Sequence, residues 1–279
     1  MVKNLSLWGF LVIVVFIYSL TIGPVRFYRE NLRKTIPVLY LPPTELLQAF
    51  SLDYKNIISQ LLMFRASIYY GERIQSKTFP DWHWFYKMLY TSVELDPYNI
   101  DSHYLAQAIL PWEVNMVKET NAILEKGINT RTWDWYLPFF MGFNQFYFLK
   151  DNKKAARYFS KAALINPQIA VVAGNFFQKA GESRSGINFL ELMLEKTNDD
   201  TIRMSISKRI DSLEKVLIVR NAVSKFKSEY ERLPGSFKEI VSAGILDRVP
   251  VDPYGKSYVM NKEGKIDLHM INKYKGASQ

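Results

Sequence analysis

The sequence predicts an all-α fold: an apolar N-terminal helix, then a superhelix of helical hairpins, then a small C-terminal module that adds a few strand residues. Three observations predict it. Residues 4–25 carry no charge, helical stretches end at Pro97 and at Pro167, and a turn-rich tail follows the last apolar helical stripe.

Composition excludes several classes before any motif is considered. The chain has 279 residues, 48% apolar residues, a net charge of +9 and no cysteine. It is too apolar for a disordered chain and not apolar enough for a polytopic membrane protein. The missing cysteines exclude disulfides, a thiolate nucleophile, Cys-ligated zinc and a lipid-modified cysteine.

The positive charge is uneven, which argues against nucleic-acid binding. Residues 1–34 hold five basic residues and one acidic residue, whereas residues 35–232 hold 24 basic and 21 acidic residues. Nucleic-acid binding needs a basic face on a folded domain. Almost half of the excess instead lies beside an apolar run, so no nucleic-acid partner is expected.

Residues 1–25 are predicted to be a transmembrane anchor. The uncharged stretch is long enough, because roughly 20 helical residues span the hydrocarbon core. A cleaved signal peptide is the alternative, but the apolar run is long and no small-x-small cleavage site follows it. Contact with membrane lipid is therefore assigned to an N-terminal helix that contains Leu7, Trp8, Phe10, Val14, Phe16 and Tyr18.

Residues 26–45 read as a juxtamembrane linker because prolines interrupt them. Its basic residues follow the apolar run, and by the positive-inside rule they place the bulk of the chain in the cytoplasm. Features of the C-terminal module, described below, argue for the opposite side of an inner membrane. The sequence thus predicts a single-pass protein of the inner (cytoplasmic) membrane, and of the two orientations the one with a periplasmic soluble part is preferred to the cytoplasmic one.

Residues 46–218 read as helical hairpins of similar length. The two closing prolines lie 70 residues apart, twice 35, which is close to the tetratricopeptide period of 34. Ala155-x3-Phe159 with Ala162 and Pro167, and then Gly174-x2-Phe177, fit the small and large positions of that repeat. This region resembles the tetratricopeptide repeat family, most clearly over residues 132–199; an unrelated helical bundle is the alternative.

The resemblance implies a superhelix whose concave face binds peptides or partner proteins, and it supplies no catalytic machinery. Small residues would let paired helices approach, and large ones would fill the space between hairpins. Two features depart from the pattern: Gly142 lies one residue out of register, and an insertion, residues 74–83, separates the first two helices. The residues assigned to repeat packing are Phe85, Leu89, Leu124, Gly142, Ala155, Phe159, Ala162, Gly174, Phe177, Gly186 and Leu190.

Residues 219–279 read as a separate module. Tyr230 and Pro234 close a helix, Ser236 with Glu239 forms a capping box, and a turn before a hairpin follows. The tail resembles the distal part of type II secretion major pseudopilins, which favours an extracytoplasmic, periplasmic location. It lacks their calcium loop, because no side-chain carboxylate follows Asp267. The turn residues are Pro250, Asp252, Pro253, Tyr254, Gly255 and Tyr258.

The sequence offers little that could carry chemistry. His83, His103 and His269 are not spaced as zinc ligands, and no phosphate-binding or nucleophile motif occurs. We expect His83 to pack among its aromatic neighbours and Asp199 to cap a helix rather than to catalyse. No catalytic, cofactor-binding or metal-ligating residue is assigned, and no cofactor is expected.

Three functions remain, in order of preference. The first is a non-enzymatic membrane-anchored scaffold that binds a protein partner in a bacterial envelope complex for secretion, pilus or exopolysaccharide assembly. The second is a stoichiometric subunit of a larger membrane complex, which large exposed apolar patches would favour. The third is glycan binding or hydrolysis at the tryptophans around Trp133, which would need paired carboxylates in a cleft.

Overall fold

The computed structural model describes Val14, residues 16–24 and residues 41–270. The chain divides into two compact units, Met1–Pro43 and Thr44–Gln279, which are described separately.

In the first unit, residues 16–24 are helical, and their large apolar side chains are mostly exposed. Among the residues that the structure describes, no helix has the length and apolarity needed to cross a bilayer. Most of the predicted span, including Leu7, Trp8 and Phe10, lies outside the described residues. Val14, Phe16 and Tyr18 are described, and each is about half exposed or more.

The second unit is mostly helical, with a two-stranded sheet at its C-terminal end. Its described part holds eleven α-helices and two short 3-10 helices, Leu52–Tyr54 and Pro167–Ile169. The α-helices are α1 Thr44–Ser51, α2 Lys55–Gln75, α3 Trp82–Leu95, α4 Ile100–Val114, α5 Val117–Thr130, α6 Tyr136–Tyr147, α7 Asn152–Ile165, α8 Ala170–Lys179, α9 Ser183–Lys196, α10 Asp200–Tyr230 and α11 Phe237–Ser242. The strands are β1 Lys256–Met260 and β2 Ile266–Met270.

Short polar caps explain why many of these helices begin where they do. The Asp81 carboxylate accepts a hydrogen bond from the Trp84 amide at 3.0 Å, and Asp151 accepts one from the Lys154 amide at 2.9 Å. Asp199 accepts from the two amides that open α10, at 2.8 and 3.0 Å. Each cap satisfies amides that have no partner inside the helix. The capping role predicted for Asp199 is confirmed.

Consecutive helices pack against each other from α2 through α10. The loops between them are short, so each helix returns along its neighbour. Three glycines allow close approach: a Cβ at Gly142 would lie 3.1 Å from the Phe159 ring, and one at Gly186 would lie 2.8 Å from Phe177 Cβ. A Cβ at Gly174 would lie 2.9 Å from Leu190 Cδ1.

The side chains assigned to repeat packing lie in the core. Phe85, Leu89, Leu124, Ala155, Ala162 and Leu190 are fully buried, and Phe159 and Phe177 are nearly so. They belong to clusters that join neighbouring helices, such as the one that unites α7 with α8. Replacement of any of these large side chains by a small one would leave a cavity.

The long helix α10 connects the helical stack to the C-terminal module. Its first half packs on α8 and α9, and its second half carries Val219, Val223 and Phe226 into a cluster with Ile240 and Ile266. The strands pair antiparallel with Tyr258 opposite Leu268. The predicted boundary between residues 218 and 219 therefore lies inside one continuous helix.

Local details differ from expectation at two further places. Ser236 makes no side-chain cap; instead the Glu239 carboxylate accepts from the Gly235 amide at 2.6 Å and pairs with Arg232. His83 is exposed rather than packed, because it lies on the outer side of α3. The buried histidine is His103 on α4.

Candidate protein-binding surface

An aromatic surface extends across α4 and α6. On α6, aromatic residues recur at spacings of four, three and four, which places Tyr136, Phe140, Phe143 and Tyr147 on one side of the helix. Helix α4 contributes Tyr104 and Trp112. All six rings are exposed or partly exposed. We call these six residues the aromatic face.

Ring contacts join the two helices along this face. The Tyr104 ring lies 6.2 Å from Tyr136 and 5.9 Å from Phe140, both edge to face. The Trp112 ring lies 5.9 Å from Phe143 and 5.5 Å from Tyr147. Edge-to-face and offset contacts are the favoured geometries of aromatic pairs, so these rings hold each other in place. A partner would meet a surface that is already ordered.

Buried polar pairs beneath the face fix α4 against α6. The Gln107 and Asn144 amides each donate to the other's oxygen, at 3.0 and 2.8 Å. Asn144 also donates to Asn121 of α5 at 2.9 Å. Because a buried amide without a partner is strongly unfavourable, these pairs specify one register between the helices.

His103 lies in the same layer. The Nε2 atom of its ring lies 3.0 Å from the Pro97 carbonyl oxygen, which accepts a hydrogen bond from it. Gly127 of α5 leaves room for the ring, because a Cβ on Gly127 would lie 2.8 Å from the ring. Burial lowers the pKa of His103 below its usual value, and the Arg131 charge lowers it further. The histidine is therefore a neutral packing residue at pH 7.

A small cavity of about 280 Å³ lies between α5, α6 and α7, beside the exposed ring of Trp133. Trp133 stacks on Tyr98 at 6.0 Å, and the Arg131 guanidinium lies 5.4 Å from the Trp133 ring. Asp134 is the single carboxylate in the lining, and Arg131 pairs with it at 3.1 Å. Paired carboxylates, which glycoside hydrolysis uses, do not occur in this cavity.

A second cavity, of about 400 Å³, lies in the C-terminal module beside the predicted turn. Asp252 accepts from the amides of Tyr254 and Lys256, at 2.9 and 3.2 Å, and Gly255 takes a positive φ of 68°. These contacts build the turn that Pro250 and Pro253 delimit. The Tyr258 hydroxyl is buried, and burial raises its pKa to about 12.

The turn is attached to the helical stack by a buried arginine. The Ser212 hydroxyl donates to Asp252 at 2.6 Å, and Arg209 donates to Ser212 at 3.4 Å and to Gln178 of α8. Arg209 and Asp252 are each 2% exposed. The network thus connects α8, α10 and the module. Within the described residues, no group of His, Asp and Glu side chains could hold a metal ion.

The sequence pointed to part of this surface and missed the rest. It singled out the tryptophans around Trp133, but it did not connect the neighbouring helix α6 to Tyr104 and Trp112 of the preceding hairpin. The 4-3-4 spacing up to Tyr147 is visible in the sequence, yet such spacing is also typical of a core. Arg209 is buried, although nothing in the sequence distinguishes it from the exposed basic residues of α10.

Comparison of the chain with protein-family models, with curated proteins and with solved structures gave no match.

Proposed function

We propose that the chain is a non-enzymatic, membrane-anchored scaffold of the tetratricopeptide type, which holds a protein partner within a bacterial envelope complex. The observation that carries this proposal is the aromatic face on α4 and α6. It is ordered by its own ring contacts and by the buried Gln107–Asn144 pair, and it remains accessible.

The chemistry of the face suits protein recognition. Tyrosine and tryptophan are enriched at interaction hot spots because they offer large apolar areas and a polar group while losing little side-chain entropy. The face joins two successive hairpins, as the binding surface of a helical-repeat protein does. The six aromatic side chains are uncharged, so that none of them has to lose the hydration of a charge when a partner binds.

The remaining parts of the proposal concern location. The uncharged stretch of residues 4–25 supports an anchor in the cytoplasmic membrane. The resemblance of the tail to pseudopilins supports a periplasmic location for the folded part. A reporter fused after Gln279 tests the orientation, because activity of a cytoplasmic-only reporter would contradict the periplasmic assignment.

A pull-down with quantitative mass spectrometry tests partner binding. The full chain, solubilised from membranes, should enrich defined proteins, and the double variant Trp112→Ala with Tyr147→Ala should lose them. Loss of hot-spot rings weakens binding by about 30-fold or more. Phe79→Ala is the matched control, because Phe79 is 95% exposed on the loop before α3 and is not one of the six residues of the face. Equal enrichment by the double variant and by the control would contradict the proposal.

A further inference from the structure

Helix α2 is apolar on two opposite sides. One side packs against α3 through buried residues that include Leu62, Ala66 and Tyr69. The other side presents a row of half-exposed side chains, which we call the α2 stripe: Ile57 at 51%, Leu61 at 60%, Phe64 at 53% and Ile68 at 62% exposure. None of the described elements of the second unit covers this row.

The spacing of the α2 stripe is that of a helix-packing seam. Its residues follow each other at intervals of four, three and four, the a and d positions of a heptad, where side chains of one helix fit between those of another. Scattered exposed apolar residues are normal on a protein surface, whereas four large ones in line indicate a contact site. On either side, Gln60 reaches Asp101 at 3.5 Å and Arg65 lies 5.2 Å from the Trp84 ring.

Charge argues against a lipid surface as the occupant. Residues 44–75 contain three basic and three acidic residues and are neutral overall. A helix that lies on a membrane carries an excess of Lys and Arg beside a broad apolar face. The α2 stripe is narrow instead, with Gln60 and Ser67 on one flank and Arg65 and Ile58 on the other. These features fit another helix.

We propose that the occupant is the α2 helix of a second copy of this chain, packed antiparallel to the first. An alignment that sets Leu61 opposite Phe64 of the other copy also sets Ile57 opposite Ile68. Four apolar layers then form around a two-fold axis, as an isologous dimer requires. At the flanks, Arg65 of one copy lies opposite Ile58 of the other copy, and Gln60 of one copy lies opposite Ser67 of the other. No like charges therefore meet.

The antiparallel direction follows from two physical arguments. Helix dipoles attract when neighbouring helices run in opposite directions and repel when they run the same way. A parallel pair would also place both Phe64 rings in one layer and both Leu61 side chains in another, whereas the antiparallel pair gives every central layer one ring and one leucine.

The available apolar area is sufficient for a stable dimer. Phe50, Leu52 and Tyr54 directly precede α2 in the chain and are 80, 72 and 65% exposed. At roughly 100 Å² for each side chain, the stripe offers about 400 Å² per copy, and these three neighbours in the chain bring the available apolar area to about 700 Å², near the ~800 Å² per partner of standard interfaces. Self-association uses α2 and leaves the aromatic face on α4 and α6 available, so it does not rest on the proposed function.

Light scattering coupled to size exclusion tests the dimer. The full chain in a mild detergent should have the protein mass of two copies, and Leu61→Glu should weaken dimerisation by about 100-fold, because a carboxylate would be buried in a central layer. Leu164→Glu is the matched control: Leu164 is 51% exposed on α7, away from the stripe, and the variant should stay dimeric. A monomeric wild-type chain, or a dimeric Leu61→Glu chain, would overturn the proposal.

Cross-linking tests the antiparallel direction of the two α2 helices. The chain has no native cysteine, so only the introduced cysteines can form disulfides. In the antiparallel pair, Ile57 faces Ile68 of the other copy, while the two Ile57 residues lie roughly 16 Å apart along the helix axis. A mixture of Ile57→Cys and Ile68→Cys chains should form disulfide dimers, and each variant alone should form few. Cross-linking of Ile57→Cys with itself would overturn the antiparallel arrangement. Circular dichroism of every variant checks that the helical content is unchanged.

Discussion

Helices α2 and α10 bound the helical stack, and their surfaces differ. Helix α10 has large apolar residues on two sides, and both sides are covered: the first half by α8 and α9, the second by the C-terminal module. Helix α2 also has two apolar sides, and only one is covered by described elements. Because an apolar row is stabilised only when something packs on it, the comparison indicates that α2 lacks a neighbour that α10 possesses.

The largest expected effect is the difference in stability loss between removing a covered ring and removing an exposed one. Phe226→Ala on α10 removes a ring that is 1% exposed and should destabilise the fold by about 3–5 kcal/mol. Phe64→Ala on α2 removes a ring that is 53% exposed and should change stability by less than about 1 kcal/mol. Urea unfolding at high dilution, where self-association is absent, measures both. Equal losses would remove the distinction between the two helices.

The buried network beside α10 should give the next largest effect. Asp252→Ala leaves the Arg209 charge buried without its acidic neighbour, and we expect a loss of about 3 kcal/mol. Asp267→Ala provides a matched control, since Asp267 is an exposed aspartate of the same module and should change stability by no more than about 0.5 kcal/mol. Unfolding curves of the two variants that coincide would show that Asp252 does not hold the module in place.

Glycine-to-alanine substitutions test the comparison by adding one methyl group to each helix. Gly186→Ala on α9 would bring a Cβ to 2.8 Å from Phe177 and should destabilise by about 1–3 kcal/mol. Gly71→Ala on α2 meets nothing within 4 Å and should stabilise the helix by roughly 0.5–1 kcal/mol. Thermal melts at matched low concentration give the sign of each change. A destabilising Gly71→Ala in dilute monomer would mean that the outer side of α2 is already occupied.

The smallest effect concerns pH. Because burial lowers the pKa of His103, the unfolded chain binds a proton below about pH 6.5 that the folded chain does not. The contribution of His103 to stability is therefore complete above the unfolded pKa and is lost as the pH falls through it. His103→Gln should flatten the fall in stability between about pH 7 and 5, and the size of this effect is read from urea unfolding at each pH. A fall in stability as steep in His103→Gln as in the wild-type chain would contradict the assignment.

Residues whose role is set by near neighbours in the chain could be predicted from sequence. Asp199 lies directly before an apolar helical stripe, and it caps that helix. Ala155, Phe159 and Ala162 follow a helical period, and they are buried. In both cases the pattern and the contact lie within a few residues of each other, so the period alone carries the information.

Roles that depend on distant partners could not be predicted. The burial of Arg209 has no local signal, because its partners, Gln178 and the Asp252 region, are 31 and 43 residues away. The two sides of α2 could not be separated, since both repeat with helical spacing and only the positions of α3 and α4 decide which is buried. For the same reason the sequence could not distinguish the exposed rings of α4 and α6 from core residues.

The most direct test measures whether the outer side of α2 is covered by the α2 helix of a second copy. An Ile57→Cys chain, which would carry the only thiol, is labelled with a maleimide at high concentration and after dilution below the dissociation constant of the dimer. The account predicts slow labelling in the concentrated sample and fast labelling after dilution, while Leu164→Cys on α7 is labelled equally fast in both. Fast labelling of Ile57→Cys at every concentration would contradict it.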